Sequence, residues 1–154
     1  MPAPRTSALE MLARALLVPY ALGVALVVWL PASVAGRVTG VAYRIARFFS
    51  ENFGVALTTS YAVFEFLANI ALFLPFGLLV AAAWPRMNQW LVILLGYASS
   101  ATIELVQTLL PSRYPTVSDV IANTLGTLIG CLGLHAVLKI SVAGRRLRTP
   151  TVEA

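Results

Sequence analysis

Residues 61–83 read YAVFEFLANIALFLPFGLLVAAA, with Glu65 the one formally charged side chain among them. At about 1.5 Å of rise per residue such a run, wound as a helix, crosses a hydrocarbon layer of about 30 Å. Three more runs share this character: about Ala15 to Leu30, Gln89 to Leu110, and Val120 to Ile140. In lipid every backbone N–H and C=O must be paired within its own segment, and no alternation over about ten residues suggests a barrel strand. The expected fold class is therefore all-α, an integral membrane bundle of four transmembrane helices. Pro19 and Pro75 fall inside helices and are expected to bend them.

Composition agrees. Of 154 residues, 59% are hydrophobic and 11% charged, whereas a water-soluble domain carries about a quarter charged residues. This excludes a soluble globular enzyme, a disordered tail and a secreted disulfide scaffold. Cys131 is the lone cysteine and lies in an apolar run, so neither an intramolecular disulfide nor a thiolate metal cluster is expected. The net charge of +5 comes from residues that bracket the apolar runs instead of forming a basic face with interleaved aromatics, which argues against nucleic acid as a partner. No cofactor and no metal are expected.

Between the second and third spans lies only Trp84-Pro85-Arg86-Met87-Asn88, which makes those helices antiparallel neighbours, with Trp84 and Trp90 as interface anchors. The third and fourth are joined by residues 111–118, stiffened by Pro111 and Pro115. From Pro31 to Ser60 the chain is too polar to span; Val38, Val41, Ile45 and Phe48 recur at helical spacing, flanked by Arg37, Arg44 and Arg47, the pattern of an amphipathic surface helix. Three units follow: residues 1–60 with the first helix and surface segment, a three-helix core at 61–141, and a basic tail at 142–154. A second reading of the N-terminus is a signal peptide, with Arg5 and Arg14 before an apolar core and Ser33-Val34-Ala35 as a small-x-small site. The core is longer than such peptides carry, which favours a retained helix.

Placing the N-terminus inside puts Arg5, Arg14, Arg86, Lys139, Arg145, Arg146 and Arg148 at cytoplasmic ends, against Arg37, Arg44, Arg47 and Arg113 outside. The basic excess predicts a multi-pass protein of the cytoplasmic (inner) membrane with both termini cytoplasmic. In this orientation the polar residues collect at one depth near the outer interface. Glu65 and Asn69 fall in the second span, Glu104 and Gln107 in the third, Asp119 and Asn123 at the start of the fourth, each pair on one helix face.

An ionisable side chain in the membrane costs at least about 2.5 kcal/mol, so it should face the bundle and find a partner. Two states are open to Glu104: neutral, or ionised and paired with Arg113. Asn69, Glu104, Gln107, Arg113, Asp119 and Asn123 form the candidate ligand-binding set. Gly126 and Gly130 make a GxxxG step suited to close packing within the bundle. His135, beside Lys139, is expected at the inner interface, and the basic C-terminal residues at anionic lipid.

The blocks Asn69 to Gly77 (NIALFLPFG, with Pro75, Phe76 and Gly77), Ile103 to Gln107 (IELVQ), Arg113, Asp119, and Asn123 to Gly130 (NTLGTLIG) together resemble the VanZ-like family of bacterial membrane proteins. The resemblance covers about Tyr61 to Leu134. It implies a cell-envelope protein, the family being named for low-level resistance to the glycopeptide antibiotic teicoplanin, and it implies no established reaction. Where some members have Asp-Ile-Asp-Asp, this chain has Thr116-Val117-Ser118-Asp119, and the single carboxylate argues against a divalent metal.

Three functions compete. The first is a non-catalytic protein whose outward polar pocket binds a membrane lipid head group, a lipid-linked wall precursor or a glycopeptide antibiotic, with Arg113 holding an anionic group. The second is an intramembrane enzyme on a lipid-linked substrate, with Glu104 or Asp119 as general base; no nucleophile with its own base stands out. The third is a small transporter, for which no inverted repeat is visible. Oligomeric state is not legible.

The orientation has a direct test. Cysteines placed singly at Ser112 and Asn88 in a Cys131→Ala background should differ toward an impermeant thiol reagent, Ser112 reacting in intact cells and Asn88 only after permeabilisation. The reverse pattern would invert the bundle and take the polar cluster to the cytoplasmic side.

Overall fold

A computed structural model describes residues 7–29, 32–110 and 115–146, with backbone alone at 32–39, 42 and 142–146. Five helices account for them: α1 (Ala8–Trp29), α2 (Ala32–Phe53), α3 (Leu57–Ala83), α4 (Gln89–Gln107) and α5 (Val117–Arg146). No strand occurs among the described residues. Four segments, Ala8–Trp29, Leu57–Ala83, Gln89–Gln107 and Val117–Ser141, are long and apolar enough to cross a membrane. The protein is an all-helical, multi-pass membrane bundle.

Helix ends follow local chemistry. α1 starts seven residues before the apolar run because Ser7 N-caps it: Ser7 Oγ accepts from Glu10 N–H at 3.3 Å and its hydroxyl donates to Glu10 Oε1 at 3.2 Å. α2 is the amphipathic segment. It stops at Gly54, whose φ of +67° is left-handed and lets Gly54 N–H reach Ser50 O at 3.2 Å. Asn88 N-caps α4 by accepting Trp90 N–H at 2.9 Å. Both α1 and α3 continue through their prolines, Pro19 and Pro75.

The most extensive helix contact joins α3 to α5, which run parallel. It is made through backbone. A Cβ on Gly126 would overlap the carbonyl of Ile70, one on Gly130 would meet Leu74 O and lie 2.9 Å from Leu78 N, and one on Gly77 would strike the backbone of Thr127. Thr127 is fully buried and turns its hydroxyl back to Asn123 O at 3.0 Å, while its side chain fills the space where Gly96 of α4 lacks one. One threonine thus lies between a glycine of α3 and a glycine of α4. Small residues permit this approach, and dispersion between close backbones drives association in lipid, where the hydrophobic effect gives little.

α1 lies antiparallel along α3. At one end Arg14 donates to Ala83 O from Nε at 3.0 Å and Nη2 at 2.9 Å, with its guanidinium 5.6 Å from the Trp84 ring centroid, capping the carbonyl end of α3. Farther along, the Tyr20 hydroxyl donates to Leu72 O. Val24, Phe73 and Ile103 form an apolar cluster there. The outer surface is apolar, with Leu12, Val18, Leu22 and Leu26 of α1 all more than half exposed, as expected of side chains that face lipid.

Gly130→Leu should therefore cost at least about 3 kcal/mol and abolish a monodisperse, folded product in detergent. Gly133→Leu, at a position with nothing within 4 Å of a Cβ, should be tolerated. Equal recovery of the two variants in fluorescence-detected gel filtration would refute the close approach of α3 and α5.

Candidate functional site

One end of the bundle gathers most of the polar side chains. Along α4, Ser100, Glu104 and Gln107 are spaced four and three residues apart, so they share a face, and all three are buried. Each meets a different part of the fold. Ser100 Oγ accepts from Asn123 Nδ2 of α5 at 2.8 Å. Gln107 Nε2 donates to Val28 O near the end of α1 at 3.0 Å. Glu104 Oε2 accepts the backbone N–H of Thr116 at 2.7 Å.

The last contact explains how α5 begins. Thr116 is its N-cap, the Oγ1 accepting Asp119 N–H at 3.1 Å. In a capping box the acidic residue three positions on would return to the N-cap N–H. Asp119 does not do so: its Oδ1 accepts from Asn69 Nδ2 of α3 at 2.7 Å, and Glu104 from α4 takes the vacant role. Carboxylate charge at that place also suits the positive end of the helix dipole.

A cavity of about 470 Å³ opens between these helix ends. Its polar lining is Glu65 and Asn69 of α3, Gln107 of α4 and Asp119 of α5, together with Tyr61; its walls are Val27 and Val28 of α1, Val41 and Ile45 of α2, and Phe64, Leu67, Ala68 and Leu72 of α3. The amphipathic helix α2 thus supplies one side with its apolar residues. The Tyr61 hydroxyl donates to Glu65 Oε1 at 3.2 Å.

Of the six residues expected from sequence to bind ligand, Asn69, Gln107 and Asp119 line this cavity. Glu104 and Asn123 are drawn into the α4–α5 seam instead, where Asn123 Oδ1 is buried without a hydrogen-bond partner. Arg113 lies outside the described residues, as do Arg5 and Arg148 of the basic count. Gly77, Gly126 and Gly130 form the α3–α5 contact, and Phe76 packs with Phe73 at a ring-centroid distance of 5.9 Å. His135, toward the other end of α5, has its Nδ1 2.8 Å from Cys131 O. Among the described residues no group of three or more His, Cys, Asp or Glu is placed to hold a metal ion.

Sequence reasoning missed three contributors. Thr116 carried a legible signal, a threonine three residues before an acidic one at the head of an apolar run. Ser100 was also readable, four residues before Glu104 on the same face. The α2 wall was not, because an amphipathic pattern shows which face is apolar and not what that face covers.

Replacing Glu104 separates its two roles. Glu104→Ala should cost about 1–2 kcal/mol by removing the acceptor of the α5 N-cap, whereas Glu104→Gln, which keeps an acceptor and loses only charge, should cost about 0.5 kcal/mol. Unfolding in a common detergent measures both. Equal losses would mean that charge, paired elsewhere, governs this residue, and the capping role would fall.

No curated protein and no solved structure matches the chain. A family model, that of VanZ/LLP1, matches residues 17–139, a stretch that begins inside α1, takes in α2 and ends in the last turns of the fourth span. It includes every residue that lines the cavity. With four fifths of its length matched by that model, the chain belongs to the VanZ/LLP1 family.

Proposed function

We propose that this protein is a non-catalytic binding protein of the cytoplasmic membrane, with both termini in the cytoplasm and its cavity at the outer interface. It takes a lipid head group, a lipid-linked wall precursor or a glycopeptide antibiotic, and so affects envelope or antibiotic tolerance. The observation that carries this reading is the cavity: about 470 Å³, lined both by hydrogen-bonding groups from three helices and by apolar side chains of α1, α2 and α3. An amphiphile needs that pairing, because its polar part must replace water contacts while its apolar part stays in lipid.

The polar groups are held before any ligand arrives. Asn69 and Asp119 orient one another, Gln107 is tied to the end of α1, and Tyr61 positions Glu65. Such preorganisation lowers the ordering entropy that binding must overcome. Arg113, three residues before the N-cap Thr116 in sequence, would add a bidentate contact for phosphate or carboxylate. A catalytic reading draws less support, since Glu104 is committed to the start of α5 and does not line the cavity.

Filling the cavity tests the reading. Ala68→Trp, at an exposed position on its wall, should leave the bundle folded and remove bound lipid from the purified protein, scored by native mass spectrometry. Loss of the gene should shift susceptibility to teicoplanin or another envelope-active compound, and the tryptophan variant should fail to restore it. Unchanged lipid retention, or full complementation, would sink the proposal.

A further inference from the structure

The end of α3 farthest from the polar cavity carries a second opening. Glu10 and Arg14 of α1, with Trp84, Pro85, Arg86 and Met87 of the α3–α4 connection, line a space of about 470 Å³. That connection joins the ends of two spans, Leu57–Ala83 and Gln89–Gln107, so the opening lies at the level of lipid head groups, where tryptophan rings settle. Arg14 is held at this level by its bonds to Ala83 O, which use Nε and Nη2 and leave Nη1 outside both. Met87 N–H reaches Trp84 O at 2.9 Å and Pro85 fixes one φ, so the backbone that carries Arg86 is closed into a turn. The Arg86 side chain is exposed. Glu10 is the counter-charge: its Oε2 lies 3.7 Å from Arg14 Nη2 and its Oε1 accepts from Ser7. A net positive charge is left among these six side chains.

We propose that this opening holds the phosphodiester of an anionic phospholipid. Arg86 meets the phosphate with its planar fork and Arg14 with Nη1, while Trp84 and Met87 cover the glycerol and the first carbons of an acyl chain. The turn and the Arg14 bonds set both cations in place beforehand, which lowers the cost of ordering them. A lipid is the source, and not free phosphate, because half of the lining is apolar and sits at the edge of the spans. A zwitterionic head group is disfavoured, since its ammonium would be brought beside two guanidinium groups.

The experiment uses the full chain in nanodiscs of phosphatidylcholine containing a minor fraction of phosphatidylglycerol, with retained lipid read by native mass spectrometry. Phosphatidylglycerol should be retained over phosphatidylcholine by about fivefold relative to its supply, the scale of one partly solvated ion pair. Arg86→Gln, at an exposed position, should abolish the preference, and Glu10→Gln should raise it by releasing Arg14 from its competitor. Equal preference in the unaltered protein and in Arg86→Gln would overturn the site. A preference that Glu10→Gln leaves unmoved would overturn the part given to Arg14. Loss of the preference in Ala68→Trp would place the anionic lipid in the polar cavity at the other end of α3 and overturn this assignment while supporting that cavity as a lipid site. Displacement of the lipid by millimolar inorganic phosphate would overturn the lipid as the source of the anion.

Discussion

The near-contact of two helix backbones governs this protein. Gly126 and Gly130 of α5 lie against the carbonyls of Ile70 and Leu74 in α3, and Gly77 of α3 lies against Thr127 of α5. Because the two helices run parallel, this seam also fixes their register. With Leu74 held at Gly126, Asn69 comes to the level of Asp119, and the polar end of α3 is brought to the N-terminus of α5. Thr127 carries the same constraint to α4 through Gly96, which sets Ser100 opposite Asn123 and Glu104 opposite Thr116. A side chain added in the seam would disturb contacts two turns away.

Polarity is arranged opposite to that of a soluble domain. Ser100 and Thr127 are fully buried, and Glu104, Gln107 and Asn123 nearly so, while leucines and valines cover the outside. In lipid the apolar exterior costs nothing, and interior polar groups gain by meeting one another, the Oδ1 of Asn123 being left without a partner. That accounts for the mixed partners in the interior: a hydroxyl for Asn123, a backbone carbonyl for Gln107, a backbone N–H for Glu104.

Helix number and the identity of the spans were legible because Leu, Val, Phe and Ala runs have one stable answer in lipid. The shared depth of Asn69, Gln107 and Asp119 was legible from position along the spans, and the structure brings these three to one cavity. The roles of Glu104 and Asn123 were not, because depth does not give azimuth: a rotation of α4 decides whether Glu104 faces an opening or a neighbouring helix end. The start of α1 at Ala8 lay beyond the apolar run and within reach only through the Ser7 and Glu10 cap. Gly96 escaped notice because an isolated glycine acquires meaning only opposite Thr127.

The division of labour among the carboxylates follows from where α5 starts. The start of a helix presents unpaired N–H groups, and these demand an acceptor. Asp119, three residues past the N-cap, is the local candidate, yet it is held by Asn69; Glu104 meets the need from the neighbouring helix. Had Asp119 closed its own capping box, Asn69 would lose its partner and Glu104 would face the bundle without one. The exchange ties Glu104 to the start of α5. It also holds one carboxylate, Asp119, at the cavity wall beside Glu65, so the architecture that satisfies the start of α5 also builds the acidic lining.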